Sequence, residues 1–134
     1  MTVVSDSAAP FLISEASGKE LMMDLVLIGC DAILSDGSCF NKIGSYSIAL
    51  SANREKVPVY VAANLLKFSA EWTPLEIRSE KEIWPDAPKG LEIINFAFDA
   101  VPREFITGYI TEFGVIKSEH IYQTVKKQYP WLIK

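Results

Sequence analysis

The sequence predicts an α/β domain, Rossmann-like, with a mostly parallel sheet flanked by helices. Three observations carry that expectation. Short apolar runs closed by glycine or a small polar residue recur along the chain. Helix-patterned segments separate them, and no internal repeat competes with the alternation.

The elements follow in chain order. Residues 2–5 (TVVS) are rich in β-branched side chains and read as a short strand. Asp6 and Ser7 then make a turn or helix start, and Ala8 and Ala9 suit close packing there. Residues 24–29 (DLVLIG) are a continuous apolar run closed by glycine, the pattern of a strand buried on both faces. Residues 41–55 read as a helix that Ile43, Tyr46, Ile48, Ala49, Leu50 and Ala52 make apolar almost all round. Residues 57–63 (VPVYVAA) and 91–98 (LEIINFAF) read as a third and a fourth strand. Pro102 opens a helical turn reaching Phe105, and residues 107–111 form a last short strand. Ser118 then N-caps a terminal helix with Ile121, Tyr122, Val125 and Tyr129 on one side, ended by Pro130. Between Phe68 and Gly90, Trp72, Pro74, Trp84, Pro85 and Pro88 stand among alternating charges without a clear period, so this is the longest loop.

The totals narrow the function. The 134 residues make one domain, 1–134, able to bury a core of its own. Thirteen basic against seventeen acidic residues leave a net charge of −4, which argues against direct nucleic-acid binding. No apolar run reaches the roughly 18–20 residues a membrane span needs. Cys30 and Cys39, without a recognisable signal peptide, are expected to be reduced thiols in a cytoplasmic protein. With them and His120 as the whole cysteine and histidine complement, no zinc site is expected.

Parallel sheets bind ligands at the carboxyl ends of their strands, which directs attention to Asp6, Ser7, Asp31, Asn64 and Asp99. Asp31 is suited either to acid or base catalysis or to capping a turn. Asn41 is a natural N-cap, and Lys42 would stand in the first helical turn, where it opposes the helix dipole. A bound phosphate would reverse that penalty; a lysine pointing into solvent would leave it. The sequence Asp36-Gly37-Ser38 between them is turn chemistry. Cys39, beside Phe40, reads as a packing residue, and His120 as solvated.

Four segments taken together say more: GCDAILSDGSCFNKIGSY, VPVYVAANLLKF, NFAFDAVPREFI and ITEFGVI. In order and spacing they resemble the family shared by the alpha, beta and delta regulatory subunits of translation initiation factor 2B and two sugar-phosphate isomerases. Those isomerases act on 5-methylthioribose 1-phosphate and ribose 1,5-bisphosphate. The resemblance implies a Rossmann-like C-terminal domain whose pocket holds a phosphorylated sugar or nucleotide. Gly29-Cys30-Asp31 matches the isomerases' Gly-Ala-Asp, so Asp31 inherits the place of a catalytic acid or base. Asn41 and Lys42 match their phosphate-binding Asn-Lys, and Gly37 and Ser38 of the same loop complete the expected phosphate-binding set.

The departures are specific. Asp36-Gly37-Ser38 replaces the Asn-Gly-Asp usual in the methylthioribose enzymes, which disfavours that substrate. Phe96, Ala100, Val101 and Arg103 alter the family's NPAFDVTPPEYI pattern around Asp99. The family's catalytic cysteine and N-terminal helical domain lie upstream of the matched region, so the chain is expected to be part of a longer protein and inactive alone. The leading expectation is a regulatory subunit of the initiation factor 2B type. It would act through protein contacts, with initiation factor 2 or other 2B-type subunits as partners. The alternative is the C-terminal half of a ribose 1,5-bisphosphate isomerase. Either way the resemblance implies a homodimer or higher oligomer through this domain, a phosphorylated sugar or nucleotide ligand, and no cofactor, metal, nucleic acid or membrane.

Overall fold

The structure is a computed structural model that describes residues 1–18, 20–71 and 76–133. In chain order it contains α1 (Ala9–Ile13), β1 (Val26–Ile28), β2 (Ala32–Leu34), β3 (Cys39–Lys42), α2 (Ser45–Arg54), β4 (Val59–Ala62) and β5 (Phe68–Ser69). There follow β6 (Ile77–Arg78), β7 (Asn95–Phe96), β8 (Phe98–Val101), β9 (Gly108–Thr111), β10 (Gly114–Ile116) and α3 (Ile121–Gln128).

The α/β expectation holds, as parallel strands flanked by helices. β1, β4 and β9 run parallel in that order, and β10 returns antiparallel along β9. A second sheet, ordered β5-β2-β3-β8, is mixed: β2 is parallel to β5, while β3 is antiparallel to both β2 and β8. β6 and β7 form a separate two-stranded ribbon.

The core lies where these layers meet. Val59 and Val61 of β4, Ile33 of β2, Val101 of β8 and Tyr109 of β9 are fully buried, with Leu65 beside them. Ala49 and Ala52 give α2 a smooth inner face, and Ile121 and Val125, one turn apart, do the same for α3. Each such buried aliphatic side chain contributes on the order of 1.5–3 kcal/mol.

Six local expectations are corrected. Residues 2–5 pair with no strand and are exposed: β-branched side chains favour extended backbone but do not supply a neighbour. β1 is an edge strand, with Val26 buried and Leu27 57% exposed, so its apolar run is not buried on both faces. Residues 91–98 do not form one strand. Ala97 donates to the Glu76 carbonyl and accepts from the Ile43 N–H, so the chain changes partner there and passes from β7 to β8.

The helix expected from residue 41 begins only at Ser45. Asn41 and Lys42 belong to β3, paired with Asp99 and Phe98, and Gly44 at φ +105° makes the break. Nor is α2 apolar all round in effect: Tyr46 and Leu50 face outward. Finally, Ser118 does not cap α3, because its Oγ is directed at the Arg103 and Ile106 carbonyls. In the long loop, a 3₁₀ turn at Glu80–Glu82 follows β6; Trp72 and Pro74 lie outside the described residues.

Candidate functional site

Asp31, Gly37, Ser38, Asn41 and Lys42 lie on or directly beside the hairpin of β2 and β3, whose two ends are built differently. At the turn end, the Leu34 N–H donates to the Ser38 carbonyl (2.8 Å) and the Gly37 N–H to the Leu34 carbonyl (3.0 Å). The Asp36 carboxylate accepts from both the N–H and the hydroxyl of Ser38. The buried phenol of Tyr109 donates to the Gly37 carbonyl at 2.9 Å. Gly37 has φ +87°, and a Cβ there would stand 2.3 Å from the Ser118 carbonyl oxygen. Glycine is therefore required by both backbone and space.

At the other end stand Asp31, Asn41 and Lys42. The Asp31 N–H donates to the Phe40 carbonyl (2.8 Å), which sets Asp31 across from Asn41. Its side chain is exposed, and among the described residues no hydrogen bond or ion pair engages its carboxylate. Asn41 donates to the Ser45 hydroxyl (2.8 Å), which in turn donates to the Lys42 carbonyl (2.7 Å). A Cβ at Gly29 would make only an ordinary van der Waals contact with the Asn41 Oδ1, 3.6 Å away. The Lys42 ammonium lies 4.2 Å from the centre of the Phe98 ring, held against an aromatic face.

The hairpin thus separates the predicted set. Ser38 lies three residues before Asn41, about 10 Å along the extended backbone, and Gly37 one residue further. Their hydrogen-bonding groups serve the turn itself.

A correction concerns the helix end as well. The Asp99 carboxylate, brought over by β8, accepts the Gly44 N–H at 2.7 Å and the Tyr46 N–H at 3.1 Å. An anion already occupies the start of α2, and it belongs to the protein. Any anion bound by Asn41 and Lys42 is met by side chains at a strand end, without help from the helix dipole.

Sequence reasoning missed two residues. Lys67, in the 3₁₀ turn after β4, extends its ammonium to the Cys30 carbonyl at 2.5 Å, directly beside Asp31 in the chain. Glu112, directly after β9, accepts the Leu65 N–H with both oxygens, at 3.2 and 3.1 Å. The rule that singled out Asp31 and Asn64 also points to Glu112 once it is applied to residues 107–111. Lys67 lies too far past its strand for that rule to reach. Asp6 and Ser7 sit in an exposed 3₁₀ turn that no strand precedes.

The cysteines are packing residues. Both are free and buried. A hydrogen bond with Cys39, and then burial, push the Cys30 thiol far above the ordinary thiol range; burial, with Cys39 nearby, does the same to the Tyr109 phenol. Neither thiol is presented as a nucleophile. Among the described residues no cluster of three or more metal-ligating side chains occurs, and no helix is long and apolar enough to cross a membrane.

Comparison with known proteins assigns the family. The family model for the Initiation factor 2 subunit family matches residues 1–118. The chain belongs to that family. A ribose 1,5-bisphosphate isomerase from Methanocaldococcus jannaschii is 37% identical over 141 residues, an alignment covering all of this chain and 44% of that protein. A methylthioribose-1-phosphate isomerase from Pelotomaculum thermopropionicum is 39% identical, covering 94% of this chain and 37% of that protein. Among solved structures, the translation initiation factor eIF-2B subunit delta from A. fulgidus superimposes with TM-score 0.77 at 32% identity, covering 93% of this chain and 38% of that one. The chain therefore spans less than half the length of these relatives.

Proposed function

We propose that this chain supplies the acid- and phosphate-bearing half of a sugar-phosphate isomerase acting on ribose 1,5-bisphosphate or a closely similar aldose phosphate. The observation that carries the reading is the exposed Asp31 carboxylate, with the Lys67 ammonium bound to the preceding carbonyl and Asn41 and Lys42 on the neighbouring strand.

Opening a 1-phosphorylated furanose to a 2-ketose delivers one proton to the ring oxygen and removes one from the C2 hydroxyl, while hydrogen moves from C2 to C1. Composition is unchanged, so no external oxidant or reductant is consumed. Asp31 carries one of the two protons, and the ammonium groups of Lys42 and Lys67 meet phosphate oxygens. Lys67, bound at the carbonyl that precedes the acid, and Lys42 on β3 offer two cations, which suit two phosphates better than one phosphate and an apolar methylthio group, because an unpaired ammonium at such a group would be desolvated without return. The M. jannaschii isomerase, aligned over this whole chain, supports the same substrate class.

A second reading, a regulatory subunit of the initiation factor 2B type, is supported by the likeness to the A. fulgidus delta subunit. It would keep the ligand pocket for sensing, with protein partners replacing turnover. Under either reading the protein is a homodimer or larger assembly, which light scattering at micromolar concentration near neutral pH checks; a monomeric mass would contradict it.

The deciding experiment gives the full-length protein ribose 1,5-bisphosphate and 5-methylthioribose 1-phosphate in turn and follows ketose formation. Turnover of the bisphosphate at a kcat/KM at least about tenfold higher, lost in Lys67→Met, supports the isomerase. Binding without turnover supports the regulator.

A further inference from the structure

We propose that Glu112 is a positioning residue that holds Lys67 at the candidate site; the inference rests on the isomerase reading only for its catalytic consequence. β4 and β9 are parallel neighbours, Ala62 opposite Ile110, so the residues following them emerge side by side. From β4 the chain enters the 3₁₀ turn Leu65–Lys67. Two amides open that turn. The Leu66 N–H is capped by the Asn64 side chain at 2.8 Å, and the Leu65 N–H is accepted by both oxygens of Glu112, 47 residues away. The Lys67 N–H closes the turn on the Asn64 carbonyl at 3.0 Å. From there the side chain reaches the Cys30 carbonyl.

Glu112 is itself fixed from the other side. The Tyr129 hydroxyl donates to its Oε1 at 3.0 Å, and the Tyr129 ring packs on Phe113 and Trp131 with centroids 5.7 and 5.4 Å apart. The turn into β10 is tied by Thr111, whose Oγ1 accepts the Phe113 N–H and donates to the Gly114 carbonyl. A carboxylate anchored by the end of α3 thus sets where the Lys67-bearing turn begins. The competing account is that the buried Leu65 side chain fixes the turn alone.

The reactivity of Lys67 separates the two without any ligand. Trace acetylation of the full-length protein with acetic anhydride, read by mass spectrometry, reports how freely each lysine amine moves and reacts. In Glu112→Ala, Lys67 should label at least about fivefold faster, with exposed Lys56 and Lys81 unchanged as internal references. Glu112→Gln, which keeps an acceptor oxygen for the Leu65 N–H, should return Lys67 to within about twofold of wild type. Unchanged Lys67 labelling in Glu112→Ala overturns the inference in favour of Leu65. If every lysine labels faster because Glu112→Ala has unfolded, Tyr129→Phe decides. It should raise Lys67 labelling at least about twofold with the references unmoved, and no rise overturns the inference.

Where the isomerase reading holds, Glu112→Ala should raise KM for ribose 1,5-bisphosphate about tenfold with kcat nearly kept, and should add nothing in a Lys67→Met background. Equal effects in both backgrounds overturn the positioning role. Absence of turnover by wild type removes the isomerase reading and leaves the labelling result to stand by itself.

Discussion

The two ends of one hairpin carry similar residue types and opposite properties. At the turn, the Asp36 carboxylate accepts from Ser38, and the Gly37 carbonyl accepts from the buried Tyr109 hydroxyl. At the open end, Asp31 is exposed with a carboxylate no described residue engages, and Lys42 lies against the Phe98 ring. Composition does not tell these ends apart. What distinguishes a recognition site from a well-made turn is whether its polar groups are already satisfied.

Substitutions at the two ends should therefore fail in different ways. The largest effect is expected from Asp31→Asn in the full-length protein. It should lower kcat by about 10²- to 10⁴-fold, the usual range for loss of a general acid or base, with the melting temperature nearly unchanged. Steady-state kinetics beside a thermal melt reads both; a large loss of stability with kinetics intact would reverse the comparison. Tyr109→Phe should do the opposite. It leaves the buried Gly37 carbonyl without its donor, costing about 1–3 kcal/mol in urea unfolding while ligand affinity is retained.

Asp99→Ala comes next. It removes the acceptor for two N–H groups at the start of α2 and should destabilise by about 0.5–2 kcal/mol. Were phosphate bound at that helix start instead, added phosphate would restore the stability of the variant. A smaller effect concerns the thiols. Because Cys30 is held protonated in the fold, its contribution to stability is complete below the ordinary thiol pKa of about 8.5 and fades as pH rises above it. Alkylation at pH 8 should accordingly label the unfolded chain far faster than the folded one. Equal rates would place the cysteines at the surface.

Much of the fold was legible because local patterns and neighbours agreed. Residues 57–63 and 107–111 are strands of the parallel sheet, and Ile121 and Val125 do form the buried stripe of the last helix. The misreadings share one cause: a pattern that names a conformation without naming a partner. Residues 2–5 are extended but unpaired, and Leu27 is exposed on the same open sheet face as Ala62 and Ile110.

Asn41 and Lys42 illustrate the same limit within the site. An asparagine followed by helix-forming residues resembles an N-cap, yet pairing with Asp99 and Phe98 keeps both in a strand, and Gly44 makes the turn into the helix. Asp31 could be singled out from its place after an apolar run. Glu112 follows a strand and could have been singled out in the same way, whereas the role of Lys67 emerges from a contact that spans 37 residues.

Whether the open end of the hairpin recognises phosphate and the turn end does not is tested by one paired titration. Ribose 1,5-bisphosphate is titrated calorimetrically into the full-length wild-type protein, Lys42→Ala and Ser38→Ala. Lys42→Ala is expected to weaken binding well beyond the fivefold or so of an ordinary exposed charge, and Ser38→Ala to leave it within about twofold. Unchanged affinity in Lys42→Ala, with a large loss in Ser38→Ala, would contradict that expectation.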